Sequence, residues 1–343
     1  MNINSILVLG KKESHKDYFI DYIYDKNYLE KKQDNYDNEV LYKDVVYIND
    51  VKINIMELAD LTENNANDIR KKVTDEITKG EAYSNINNRI HSIIYCISVR
   101  NFSEFELEDV LRPISIAANK IVVAITDCNE ATMEEIDELD KKLSGVVHHD
   151  EIIRLNVREE EFEDENVFVA ERKDAMRAIT INMWERLKIR SLGEAYIELN
   201  QIVDDWKKYC YDYVSNNVNI LNVKKTKINS EKIFTDMLNK QFAKERENIE
   251  KSIKESVDYF TKVDEVLNTL VDDEYQLHHK NIEIVYPEDL TKNWTGDYEA
   301  DMMETKFEGK ATKESIIEDI DEFYAIAKRQ IAIIMETYKN VLH

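Results

Sequence analysis

The first residues with chemistry suited to an anion are Gly10-Lys11-Lys12-Glu13-Ser14-His15-Lys16-Asp17, directly after the apolar run Ile6-Leu7-Val8-Leu9. Gly10 and Lys16 have the spacing of the first glycine and the lysine in the phosphate-binding pattern G-x-x-x-x-G-K-[ST]. There a loop between strand and helix aims its backbone N–H groups at phosphate, and the lysine adds positive charge. His15 stands at the second glycine and Asp17 at the hydroxyl position, leaving Ser14 as the loop's hydroxyl. Asp17 could ligate a metal ion, yet it and Glu13 also put negative charge where a polyanion would sit. Lys16 has two readings, a phosphate contact or a solvated lysine opening a helix. Further candidates are Glu57 and Asp60, and the polar stretch Thr126-Asp127-Cys128-Asn129. Asp17 and Glu57 serve a metal only if they converge; otherwise they are surface carboxylates. His148-His149-Asp150 and His278-His279 read as loop polarity, because zinc needs several converging ligands and neighbouring histidines point apart. Cys96, Cys128 and Cys210 lack paired spacing, which suits core packing in a reducing compartment.

Those residues need elements to hold them. Short apolar runs alternate with amphipathic stretches over the first 190 residues. A helix is expected from about His15. Val45 to Ile48 (strand β2) and Val51 to Met56 (strand β3) flank Asn49-Asp50, two residues that tolerate positive φ and favour a hairpin. The runs Ile93 to Ile97, Ile121 to Ile125 and Ile152 to Leu155 read as further strands. Helices are expected around Ile69, Val73 and Ile77, from Ser103, and from Thr132 to a stop at Gly145. Ser103 with Glu106 and Thr132 with Glu135 have capping-box spacing. Apolar strands separated by helices specify a sheet buried on both faces. The expected fold is α/β, a mostly parallel six-stranded sheet with one antiparallel β2–β3 hairpin. A helix from Val169 to Arg190 closes this 1–190 domain.

Composition limits the function classes. The chain has 343 residues, with 46 Lys and Arg against 70 Asp and Glu, a net charge of −24. That balance excludes a general nucleic-acid binder and argues against attachment to anionic lipid, since both need a basic surface. The densest basic cluster is Lys224, Lys225 and Lys227. With 6 glycines and 2 prolines, the composition favours helices over β-sandwiches or low-complexity tails. No run reaches the roughly 18 apolar residues of a membrane span, and the N-terminus lacks a secretory signal pattern. A cytoplasmic protein without membrane association is expected.

The strand order, the antiparallel pair and the half-matched loop together make residues 1–190 resemble the small-GTPase-like P-loop domain, including the larger dynamin-like proteins that carry helical extensions. The resemblance implies a nucleotide site and locates its parts. The family's D-x-x-G falls on Glu57-Leu58-Ala59-Asp60, its base-recognition motif on Thr126-Asp127-Cys128-Asn129, and the loop after the last strand near Asn156-Val157-Arg158. Every motif departs from the pattern. His15 restricts the backbone that wraps phosphate, and Asp17 replaces the hydroxyl that meets Mg²⁺. Asn129 cannot offer guanine the two acceptors of an aspartate. No threonine precedes Thr62 and no serine lies between Ser14 and Ser84, so the switch ligand is missing. The reading is a pseudo-GTPase, a binding or assembly protein with GTP or GDP and Mg²⁺ bound weakly or not at all. The alternatives are an active dynamin-like hydrolase with unorthodox metal ligation, or a structural protein sharing only the architecture.

Residues 191–343 read as an α-helical domain. Ala195, Leu199, Ile202, Trp206, Cys210 and Tyr213 repeat at helical spacing, and a stripe from Ile249 to Leu270 marks one long helix or two. One strand is expected at Ile282 to Tyr286. Ile316, Ile320, Phe323, Ala327, Ile331, Ile334 and Tyr338 form a nearly heptad seam, either packed within the chain or offered to a protein partner or second copy.

Overall fold

The computed structural model describes residues 2–24, 41–48, 51–58, 61–82, 85–118, 120–148, 151–156, 169–268 and 311–342. The expected turn at Asn49-Asp50, the strand at Ile282 to Tyr286, and Asp60, His149, Asp150, Val157, Arg158, His278 and His279 lie outside the described residues.

In chain order the elements are β1 (Asn2–Leu9), α1 (Lys16–Ile23), β2 (Leu41–Ile48), β3 (Val51–Leu58), α2 (Ala66–Ala82) and β4 (Ser92–Ser98). A wide helical turn, Glu106–Leu111, leads into α3 (Arg112–Ala118). Then come β5 (Val122–Thr126), α4 (Met133–Leu143), β6 (Ile152–Arg154), α5 (Arg172–Asn217), α6 (Val223–Ile228), α7 (Ser230–Asn268) and α8 (Lys313–Val341). The sheet order is β2-β3-β1-β4-β5-β6. Five strands run parallel, and β2 lies antiparallel at the edge with Ile48 opposite Val51.

This order follows from the apolar content of the strands. β4 and β5 are buried along their whole length, on both faces, so they must be central. On one face Leu7, Leu9, Ile93, Tyr95, Ile97, Val123 and Ile125 meet Ile69, Val73 and Ile77 of α2, Ile114 of α3 and Ile136 and Leu139 of α4. The alternate residues Ile6, Val8, Ile94, Cys96, Val122 and Ala124 point to the other face and are equally buried. Thr132 caps α4 with the full reciprocal box to Glu135, which satisfies two orphan donors.

The chain forms two compact units, Met1–Leu187 with Asp258–His279, and Lys188–Val257 with Lys280–His343. The helix expected to end at Arg190 instead continues to Asn217. Gly193 costs a helix only ~1 kcal/mol relative to alanine, too little to interrupt one packed along its length. In the first unit His91 is buried between β1 and α7. Its Nδ1 accepts from Ser5 N at 2.9 Å, its Nε2 faces Ile86 O at 2.9 Å, and its ring stacks on Tyr259 at 4.6 Å.

The second unit is a helical assembly. Trp206 is fully buried and donates to Phe234 O at 2.9 Å. Lys328 reaches Asn200 and Asp204, and Lys313 reaches Ser215 O, so α8 runs antiparallel to this half of α5. The seam Ile316, Ile320, Phe323, Ala327, Ile331, Ile334 and Tyr338 is buried within the chain itself, each residue at most 2% exposed. Of the two readings of the seam, packing within the chain is the one the structure shows, because the described seam residues are already removed from water. Asp319 beside the seam holds Lys227 at 2.6 Å. Burial raises its carboxyl above the ordinary range, against the pull of that lysine.

Candidate functional site

The site expected from the sequence forms where β1, β3, β4 and β5 end beside α1. Gly10 leaves β1 at φ 144, and a Cβ there would lie 2.4 Å from Ser14 Oγ and 2.5 Å from Cys96 O. Only glycine fits both the torsion and the space. The loop then tightens into a 3-10 turn at Lys12–Ser14, with Ser14 N bonded to Lys11 O and His15 N to Lys12 O, both at 3.2 Å. His15 takes the left-handed conformation, φ 51 and ψ 37, just before α1 begins at Lys16. A histidine is expected to restrict the backbone at this position. It adopts the conformation a glycine would, and its ring gains a partner.

That partner is Asp127, itself left-handed at φ 59 and 2% exposed. Its Oδ1 lies 2.7 Å from His15 Nδ1, and its Oδ2 accepts from Ser98 Oγ at 2.6 Å. Next to it Thr126 donates its hydroxyl to Ser14 O at 2.8 Å. The segment expected to read a base is therefore fastened to the segment expected to read phosphate. Asn129, on the short turn that follows, is 1% exposed and so is not displayed to a ligand.

Lys16 is 2% exposed and Glu57 0%, with Lys16 Nζ 3.5 Å from Glu57 Oε1. This corrects two expectations, the solvated lysine and the surface carboxylate. The parallel register of β1 and β3 sets Val8 opposite Glu57, so the end of β3 lies beside the loop that follows β1. Asp17 is half-buried in the first turn of α1. Among the described residues no group of three or more His, Cys, Asp or Glu side chains is placed to hold a metal ion.

A third pair went unforeseen. Lys11 Nζ lies 2.9 Å from Glu106 Oε2 and donates to Ser103 Oγ at 2.8 Å, while Tyr95 OH donates to Glu106 Oε1 at 3.1 Å. Glu106 was expected to close a capping box on Ser103. It turns inward instead, 1% exposed, and burial raises its carboxyl above the ordinary value despite Lys11. One signal was present in the sequence, since Glu106 shares a helix face with the buried Val110 and Ile114. Cys96 and Cys128 are free and buried, and burial pushes the Cys128 thiol up to about 12. Neither is a nucleophile near neutral pH. His148 is exposed, in keeping with loop polarity.

Among the described residues the groups that would meet a phosphate are already engaged within the chain. The ammonium that would meet phosphate is held by Glu57, and Ser14 Oγ donates to Lys11 O at 2.7 Å. Glu13, Asp17, Glu57, Glu106 and Asp127 outnumber Lys11, Lys12 and Lys16 among these residues, which makes the site's balance acidic.

No family model matches the chain, and no curated protein matches it. Solved structures are similar to part of it. Three of them are the bacterial selenocysteine-specific elongation factor EF-Sec (13% identity, 46% of this chain, 26% of that chain, TM-score 0.31), a dimerization-deficient mutant of Toc33 from Arabidopsis thaliana (14%, 53%, 85%, 0.38), and Cdc11 from Saccharomyces cerevisiae (13%, 54%, 77%, 0.30). The chain spans 26% of the elongation factor's length. Among the described residues no helix is long and apolar enough to cross a membrane.

Proposed function

We propose that this chain is a pseudo-GTPase, a GTPase-like binding and assembly protein that works without hydrolysing nucleotide. One observation carries the reading: the buried Lys16 is already neutralised by the buried Glu57. A phosphate group would have to compete with that carboxylate for the ammonium, and separating the two buried charges costs several kcal/mol. His15 with Asp127 and Lys11 with Glu106 close the same loop from two other sides. A loop tied by three internal pairs is a rigid part of a scaffold, and partner contacts then fall to the outer surfaces of the two units. The cytoplasm is the compartment that suits three unpaired cysteines.

The test is equilibrium binding of GTP, GDP, ATP and ADP to the full chain, with and without Mg²⁺. The expected result is no saturable binding at millimolar ligand. Tight GTP binding with turnover would refute the proposal and leave an active hydrolase in its stead.

A further inference from the structure

The turn joining α5 to α6 carries the two most exposed large apolar side chains of the described residues, Ile220 at 94% and Leu221 at 96%. Ile228, at the end of α6, is exposed as well. This exposure is not looseness, because the turn is built on its own asparagines. Asn219 Oδ1 accepts from Leu221 N at 2.9 Å and from Asn222 N at 3.3 Å. Asn222 Oδ1 accepts from Asn219 N at 2.7 Å, and Asn222 Nδ2 donates to Asn217 O at 2.7 Å. Val218 is tucked under the turn, buried. The apolar pair is thus held outward by a turn in which the N–H groups of Asn219, Leu221, Asn222 and Val223 are paired within the chain. Pairing these donors internally lowers the cost of meeting an apolar layer.

Charge supplies an independent observation. Between Asp212 and Glu231 there is no acidic residue, in a chain with 70 Asp and Glu. Lys224 and Lys225 lie exposed in that window, while Lys227 is committed to Asp319. The most exposed apolar pair of the described residues and two exposed lysines of a strongly acidic molecule therefore lie together within residues 220–225.

We propose that this turn docks peripherally on an anionic lipid bilayer, with Ile220 and Leu221 entering the acyl boundary and Lys224 and Lys225 meeting headgroup phosphates. Side chains this exposed protrude, and a bilayer yields to a protrusion. A protein partner would need a matching apolar pocket rimmed by acids. The chain's net charge of −24 opposes any broad contact with anionic lipid. The attraction is local, reaching about a Debye length of 8–10 Å near physiological salt, so it is weak and salt-sensitive. It does not depend on whether the loop at Lys16 binds nucleotide.

The test is flotation of the full chain with phosphatidylcholine vesicles, with or without phosphatidylserine. The chain should float with the anionic vesicles only and be released by ~0.5 M salt, where the Debye length falls to a few Å. Lys224→Ser with Lys225→Ser should weaken binding by about 30-fold, following the usual contribution of each lysine near an anionic surface. Ile220→Ser with Leu221→Ser should weaken it at least as much, and all four sites are exposed, so the fold should be kept. A second measurement uses an environment-sensitive dye on Leu221→Cys, since the native cysteines are buried. Its emission should move to the blue on anionic vesicles. Failure of the chain to float, flotation of both double variants like the parent, or a dye that stays in water would each overturn the proposal.

Discussion

Replacing Lys16 by methionine removes the charge and keeps an unbranched side chain of similar size. If the loop is neutralised from within, the damage falls on Glu57, which is 0% exposed and loses the ammonium 3.5 Å away. Breaking a buried ion pair by removing one partner costs about 3–5 kcal/mol. The separation here exceeds the 2.7–2.9 Å of a close charge-assisted bond, which points to the low end, about 3 kcal/mol. That is roughly a hundredfold shift in the folded-to-unfolded ratio. Glu57→Met alone should cost about as much, since it leaves the ammonium buried without its carboxylate. The double variant removes both charges together, and its loss should be within about 1 kcal/mol of zero, because an apolar pair of similar volume often replaces a buried ion pair without penalty. The assay is urea unfolding of all four proteins, with hydrogen exchange of the β1 and β3 amides reporting the unit that contains the pair. A Lys16→Met cost below about 1 kcal/mol, or a double variant as unstable as the sum of the singles, would refute the idea that these two charges serve each other. A stable Lys16→Met that had lost nucleotide binding would point to phosphate as the true partner.

Three further outcomes follow from the same packing. Burial lowers the His91 pKa from 6.5 to about 3, with Arg186 and Arg89 adding to the effect and Ile86 O opposing it. The unfolded chain therefore takes up a proton that the folded chain refuses, and stability is lost as pH falls from 6.5 towards 3. At ~1.4 kcal/mol per pH unit the loss is bounded near 5 kcal/mol, and His91→Gln should flatten that part of the urea-midpoint profile. Gly193→Ala should raise stability by about 0.5–1 kcal/mol, because Gly193 lies within α5 and an added Cβ meets nothing within 4 Å; a lower urea midpoint would mean that helix face is occupied. Phe323→Asp buries a charge at a site 1% exposed, and it should abolish the cooperative unfolding of the second unit and open it to protease. Unchanged protease resistance in that variant would contradict the burial of the seam.

The apolar patterning of the sequence alone determined where the strands lie, which helix faces turn inward and where α4 is capped. Those features depend on contacts between residues a few positions apart, so their period is written along the chain. The runs at Ile6, Ile93 and Ile121 are strands because every side chain in them is apolar, and the seam from Ile316 to Tyr338 is buried because its period matches a helix. The outer edge of the helical unit was less legible, since nothing in the apolar character of Ile220 and Leu221 marks them as exposed, yet both stand in water. The continuation of α5 through Gly193 was likewise set by packing, which outweighs one poor helix former. The state of the phosphate loop was decided by tertiary structure. Lys16 and Glu57, His15 and Asp127, and Lys11 and Glu106 are 41, 112 and 95 positions apart. Each pair exists only because parallel strands in a fixed register bring their ends together. The sequence shows damaged motifs, but pairing depends on distance in space, and only the folded sheet sets a carboxylate beside Lys16, His15 and Lys11.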